Sequence, residues 1–286
     1  MFKILPERNG ADKKFMTLKI GLFDSGIGGY SVLGELFKVL PEATYYYVSD
    51  DANAPYGPRT DEFITERSML IAQELIDRGV SLIVVACNTA TAASIDALRE
   101  KFVDKPFVGV EPYLNAYYKI PEGLRDDQKK MMVLTTESTG KSERFKRLKE
   151  RLDPHSQIDH FSLKNLARLI ENHYHAYEEK QLTSVDELAF QKSVQNELAH
   201  LLDKHYAYAI LGCTHYPLVR DSIETFLNLE TISPDAHVAQ RVIELTNTKK
   251  KAASSEDFFY YFSTTQNIWT TKKRESLYGP FKGSVR

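Results

Sequence analysis

Lys19 to Gly29 reads KIGLFDSGIGG, a short apolar run that ends in an acidic residue, a serine and three glycines. Tyr30 to Leu40 then resumes with apolar residues at helical spacing, so the stretch predicts strand, glycine-rich turn and helix. The same pattern recurs at Val80 to Ala86, an apolar β-branched run followed by Cys87-Asn88-Thr89 and a helix-like Ala90 to Phe102. It recurs again at Tyr208 to Leu211, followed by Gly212-Cys213-Thr214-His215 and a helix through Phe226. Pro217 is expected in the first turn of that helix, where a missing N–H costs little. Further β-like runs occur at Tyr45 to Val48, Phe107 to Val110 and Met131 to Thr135. Strands alternating with helices predict an α/β fold of parallel sheets with helices on their faces.

The stretch from Glu143 to Lys204 is charged and largely helical in pattern, with breaks at Asp153-Pro154 and Thr183-Ser184. Residues 1–16 are polar, carry an Asn9-Gly10 turn signal and read as a loosely held extension. No internal repeat of fixed period and no low-complexity linker is visible, although the two strand-Cys-helix units look like crude counterparts.

Composition narrows the function. At 286 residues, 42% hydrophobic and 27% charged, the chain can bury two α/β cores or one large one. A formal net charge of −2, with no dense Lys/Arg block, argues against nucleic acid as a partner. The amino-terminal residues lack an apolar core of signal-peptide length, and runs such as SLIVVA are too short to span a bilayer, so a cytoplasmic protein with no membrane partner is expected. Two cysteines are too few for a disulfide framework, and neither lies in a CxxC or near a spaced His pair, so no metal site is expected. The glycines of DSGIGG do not follow GxGxxG, and no lysine stands in a pyridoxal context, so no cofactor is expected either.

A free cysteine is most often a small buried hydrophobe. Both cysteines here fall instead at the carboxyl ends of strands, where open α/β sheets bind ligands, and at helix starts, where unpaired N–H groups and the helix dipole favour a thiolate. Asn88, Thr89, Thr214 and His215 place amide, hydroxyl and imidazole groups beside them, and Asp24-Ser25 adds a carboxylate and a hydroxyl at a third strand end. Singly, each has a structural reading: Asn88, Thr89 and Thr214 as helix N-caps, Asp24 as a cap for the helix after the glycine turn, His215 as a hydrogen-bonder. Together they describe a polar, thiol-lined pocket.

FDSGIGGYSVL, DANAPYGPRT, VVACNTATAAS, VGVEP, TTESTGKS and ILGCTHYPL, in this order, resemble the motif set of the glutamate racemases within the aspartate/glutamate racemase superfamily, over roughly Leu18 to Thr231. ACNTAT with GCTHYPL is the specific pair. The resemblance implies two pseudo-symmetric α/β domains with the active site at their interface, no cofactor, and one cysteine on each face of the substrate. The expected division is an extension 1–17, a first domain of 18–113 with 232–286, and a second domain of 114–231. By resemblance, Cys87 works on the D-enantiomer and Cys213 on the L-enantiomer, with Asp24 and His215 assisting proton transfer. Ser25, Tyr56, Gly57, Asn88, Thr89 and Thr214 match substrate-binding positions, Pro55, Thr139 and Ser142 are expected to line the same pocket, and Glu171 resembles an acidic position near Cys213. A homodimer is compatible with the sequence but not read from it.

The chemistry asks for this arrangement, because a single group would return the α-proton to the face it left, whereas a base on one face and an acid on the other invert the centre. Without a pyridoxal ring, oriented N–H and O–H donors must hold the developing charge. The chain departs from the family at VSDD (Val48 to Asp51), around Glu178 to Glu187, and at Ile232-Ser233-Pro234-Asp235, which leaves the register of the carboxyl-terminal segment open. Competing readings are a racemase for another amino acid such as aspartate, a non-catalytic binding protein on the same fold, and a thiol hydrolase using Cys213 and His215. The last is disfavoured because side chains two residues apart at a helix start need not converge.

Overall fold

The computed structural model describes residues 18–119, 131–247 and 258–281, so the expected extension 1–17 lies outside the described residues. The chain opens with β1 (Lys19–Asp24), α1 (Tyr30–Val39), β2 (Thr44–Ser49), α2 (Asp61–Asp77), β3 (Leu82–Val85), α3 (Asn88–Lys101), β4 (Phe107–Gly109) and a short α4 (Ala116–Lys119). It continues through β5 (Met131–Thr136), α5 (Glu137–Lys141), α6 (Glu143–Leu152), β6 (Ile158–Leu163), α7 (Leu166–Glu178), α8 (Ser184–Leu198), β7 (Tyr208–Gly212), α9 (Arg220–Leu227) and β8 (Glu230–Ile232). It closes with α10 (Asp235–Thr246), β9 (Phe258–Ser263) and β10 (Ile268–Lys273).

Among the described residues two sheets result: six strands in the order β10-β9-β2-β1-β3-β4, and four in the order β6-β5-β7-β8. Among the described strands every pairing is parallel apart from the antiparallel β9–β10 pair, as the strand-helix alternation predicts. β1 is the pivot of the first sheet, pairing Phe23 with Val48 on one side and Val85 on the other. β5 is the pivot of the second, and the whole of β3 and nearly all of β5 are buried, which is why they read as continuous apolar runs.

The first sheet gains its last two strands late in the chain: Tyr46 of β2 pairs with Tyr260 of β9, and α10 packs against α1 through Val238, Ala239 and Val242. An aromatic cluster of Tyr30, Tyr47, Phe259 and Tyr261 fills this side, with the Tyr30 and Tyr47 ring centroids 4.9 Å apart.

Two expectations need correction. The charged stretch from Glu143 contains β6, an edge strand whose Asp159 is exposed and whose central residues are only half-buried, so its polarity hid it. The breaks fall where expected: α6 ends at Leu152, and Thr183 caps α8 with a reciprocal capping box to Asp186. Pro217 lies in a 3-10 turn, Tyr216–Val219, and α9 begins only at Arg220.

Candidate active site

Cys87 is the N-cap of α3: its Sγ accepts the Ala90 N–H at 3.5 Å, and Ser25 Oγ lies 4.0 Å away. Beneath it, Asp24 at the end of β1 is wholly buried. Its Oδ1 accepts the Ser25 N–H at 2.7 Å and its Oδ2 accepts the Gly29 N–H at 2.7 Å, so the carboxylate folds the glycine turn and faces the thiol region at once. Burial pushes the Asp24 carboxyl up from the usual carboxylate range, against the pull of the His215 charge. Burial, and then the Asp24 charge, push the Cys87 thiol well above its ordinary value.

Cys213 follows β7 and sits differently. His215 Nδ1 is 3.9 Å from its sulfur, so the two side chains converge, contrary to the expectation from their spacing. The other ring nitrogen, Nε2, is 2.7 Å from Glu171 Oε2 on α7. Glu171 also accepts the Ile27 N–H at 3.0 Å and, through Oε1, pairs with His175 Nε2 at 3.1 Å. Burial would raise the Glu171 carboxyl, but the bonds from His175 and His215 outweigh it and hold it at about 2. For His215, burial acts downward, and its contacts with Cys213 and Glu171 hold the imidazole well above its ordinary value. One thiol thus faces a carboxylate and the other an imidazolium.

The glycines of the DSGIGG turn are explained by this packing. A Cβ on Gly26 would overlap the Glu171 carboxylate, and one on Gly28 would overlap His215 Nδ1 and come 2.6 Å from Asp24 Oδ2. The turn is thin so that residues from the other half of the chain can reach it.

A cavity of about 340 Å³ opens between these groups. It is lined by Ser25, Pro55, Tyr56, Gly57, Cys87, Asn88 and Thr89 from the first half of the chain, and by Glu171, Cys213, Thr214 and His215 from the second. Asn88 Oδ1 is buried and has no hydrogen-bond partner among the described residues, an acceptor available to an ammonium group. Three expected residues stand back from the cavity. Asp24 acts through its bonds to the turn and to Thr214. Thr139 lies behind Thr89, 3.4 Å from its hydroxyl. Ser142 is corrected as a pocket residue: its hydroxyl accepts the Phe145 N–H at the start of α6 and donates to Thr139 O.

Other residues were not anticipated. Asp50 is wholly buried, takes Arg67 bidentately at 2.7 and 3.0 Å, and accepts from Tyr56 Oη at 2.6 Å and Asn53 at 2.9 Å. It anchors the loop that presents Pro55, Tyr56 and Gly57; although burial pushes its carboxyl up, the bond to Arg67 leads those that hold it down. Asp51, Thr136, Arg168, Asn172 and His175 also line the cavity. The signals were present in part: VSDD is the departure that supplies Asp50 and Asp51, and His175 follows Glu171 by one helical turn. Among the described residues, no group of three or more His, Cys, Asp and Glu side chains could hold a metal ion, and no helix is long and apolar enough to cross a membrane.

The profile of the Asp/Glu/hydantoin racemase family matches residues 30–242. Glutamate racemase 2 of Bacillus subtilis (strain 168) is 36% identical over 214 residues, spanning 74% of this chain and 75% of that protein. A glutamate racemase of Campylobacter curvus is 36% identical over 211 residues, spanning 73% of this chain and 75% of the relative. Among solved structures, the fold is similar to Escherichia coli glutamate racemase in complex with L-glutamate and the activator UDP-MurNAc-ala, with a TM-score of 0.72 and 30% identity over 86% of this chain and 89% of that one. A glutamate racemase isoform from Bacillus anthracis gives a TM-score of 0.71 at 27% identity over 87% and 89% of the two chains.

Proposed function

The chain belongs to the Asp/Glu/hydantoin racemase family, and from that premise we propose that it interconverts L- and D-glutamate by passing the α-proton between Cys87 and Cys213. It acts as a glutamate racemase, an amino-acid isomerase. The observation that carries the two-thiol reading is that both cysteines line one cavity, each with a charged group of opposite sign beside it.

With Cys213 ionised and Cys87 protonated, Cys213 removes the α-proton of L-glutamate and Cys87 returns one from the opposite face, giving D-glutamate. The reverse starts from ionised Cys87, which fits the assignment of each thiol to one enantiomer. Tyr56 and Gly57 on the Asp50-anchored loop, with Asn88, Thr89 and Thr214, supply donors and acceptors for the substrate's carboxylates and ammonium group. No cofactor is part of this scheme. Sheet membership supports grouping 18–113 with 232–286 as the first domain and 114–231 as the second, so that the site falls where they meet. We place the enzyme in the cytoplasm of a bacterium, supplying D-glutamate for peptidoglycan.

The test is incubation with L-glutamate, D-glutamate and L-aspartate in D2O. Loss of optical activity and deuterium at Cα with glutamate alone is expected. Turnover of aspartate without glutamate would reassign the substrate.

A further inference from the structure

His175 belongs to α7, one helical turn after Glu171, and it is the unanticipated member of the charged chain that ends at Cys213. Its Nε2 pairs with Glu171 Oε1 at 3.1 Å, the opposite oxygen of that carboxylate pairs with His215 Nε2 at 2.7 Å, and His215 Nδ1 reaches Cys213 Sγ at 3.9 Å. Glu171 is buried, whereas the His175 side chain is 40% exposed and lines the cavity. The chain therefore runs from the thiol to a group in contact with solvent.

The charges facing His175 come from two elements. On α7 itself these are Glu171 and Glu178, the latter ion-paired with Lys272 of β10. From the loop after β2 comes Asp51, held by Ser263 and Thr264. Arg168, also on α7, lines the same cavity. The acidic groups prevail, led by the bond to Glu171, and hold the His175 imidazole above its ordinary value.

We propose that His175 is a positioning residue for the Cys213 half of the reaction: bonded to Glu171 as a cation, it balances that carboxylate and leaves the imidazolium charge of His215 uncompensated beside the sulfur. A lone Glu171 carboxylate would cancel the His215 charge and weaken the field at Cys213. With His175 in place, the three groups carry a net positive charge, and Glu171 is fixed at both oxygens so that Oε2 stays aimed at His215. Cys87, with Asp24 beside it, lies outside this chain.

The inference rests on the two-thiol reading for its role in turnover, but its test needs no turnover. The full chain, without substrate, is treated with iodoacetamide at pH 7, and the alkylation of each cysteine is followed by peptide mass spectrometry in the unsubstituted protein, His175→Gln and His175→Leu. His175→Gln keeps a donor to Glu171 and loses the charge. In both variants Cys213 should alkylate more slowly, by on the order of tenfold for the loss of one nearby charge, while Cys87 keeps its rate. With glutamate, His175→Gln should lower kcat from the L-enantiomer more than from the D-enantiomer. An unchanged Cys213 rate in His175→Gln, or equal slowing of both cysteines, would overturn the proposal. Failure to racemise glutamate in the unsubstituted protein would instead overturn the functional reading and leave the alkylation result standing.

Discussion

Thr214 Oγ1 donates to Asp24 Oδ2 at 3.4 Å, a hydrogen bond between residues 190 positions apart. It ties the strand end that carries Asp24 to the one that carries Cys213, so the two thiol environments share a floor. That floor is not symmetric. Burial, and then the Asp24 charge, disfavour negative charge on Cys87, while Cys213 has His215, backed by Glu171, beside it. The asymmetry suits a proton donor on one face and an acceptor on the other.

If the proton moves between the two thiols, Cys87→Ala and Cys213→Ala should each abolish racemisation. Both sites are small and lie at strand ends, so a stability cost of about 1 kcal/mol and a native circular dichroism spectrum are expected. Mixing the variants should not restore activity, since both thiols come from one chain. Near-normal turnover by either variant would remove the two-thiol mechanism.

Asp24→Asn and His215→Asn should slow the two directions unequally, by on the order of 10² to 10⁴ in rate. Enantiomers are equal in free energy, so the ratio of kcat/KM values must stay near unity and the asymmetry must appear in the separate kcat and KM values. Unaltered kinetics in both variants would reduce Asp24 to its bonds with the Ser25 and Gly29 amides.

Asp50→Asn should act on binding. It removes the charge that Arg67 grips with two bonds and loosens the loop bearing Tyr56 and Gly57. A KM rise of roughly tenfold with a smaller change in kcat is expected, and Arg67→Lys should resemble it because lysine cannot make the fork. An unchanged KM in steady-state assays would assign Asp50 to stability alone.

Much of this was legible in the chain. The strands of both sheet centres are uninterrupted apolar runs, and Cys87 and Cys213 announce themselves by following two of them. What escaped is what depends on distant partners. β6 carries an edge strand's polarity, and β9 is an aromatic run whose parallel pairing with β2 spans some two hundred residues. The convergence of His215 with Cys213 is set by Glu171, which pulls the ring from α7. Asp50 sat in a departure from the family pattern, and only its four bonds reveal the loop it holds.

Glu171 also gives a pH signature. Its folded value of about 2 lies below the ordinary 4.5, so its contribution to stability is complete above about 4.5 and is lost as pH falls toward 2. Thermal melts of the protein and of Glu171→Gln should therefore differ most at neutral pH and converge toward pH 2. Parallel melting curves across that window would place the carboxylate in no special field.

Gly28→Ala tests the packing that joins the halves. No positive φ is required of Gly28, so any effect comes from space rather than backbone strain. The added methyl would meet His215 Nδ1 and stand 2.6 Å from Asp24 Oδ2. Neither can retreat cheaply: His215 is held at 2.7 Å by Glu171, and Asp24 is held by the Gly29 N–H at 2.7 Å. The substitution must therefore displace an imidazole from Cys213 or a carboxylate from beneath Cys87, and a loss of at least about a hundredfold in kcat is expected, with a lower melting temperature. Gly57→Ala, where an added Cβ meets nothing within 4 Å, should leave the melting temperature unchanged. Turnover close to the unsubstituted rate in Gly28→Ala would mean that His215 and Asp24 do not need the positions the structure gives them.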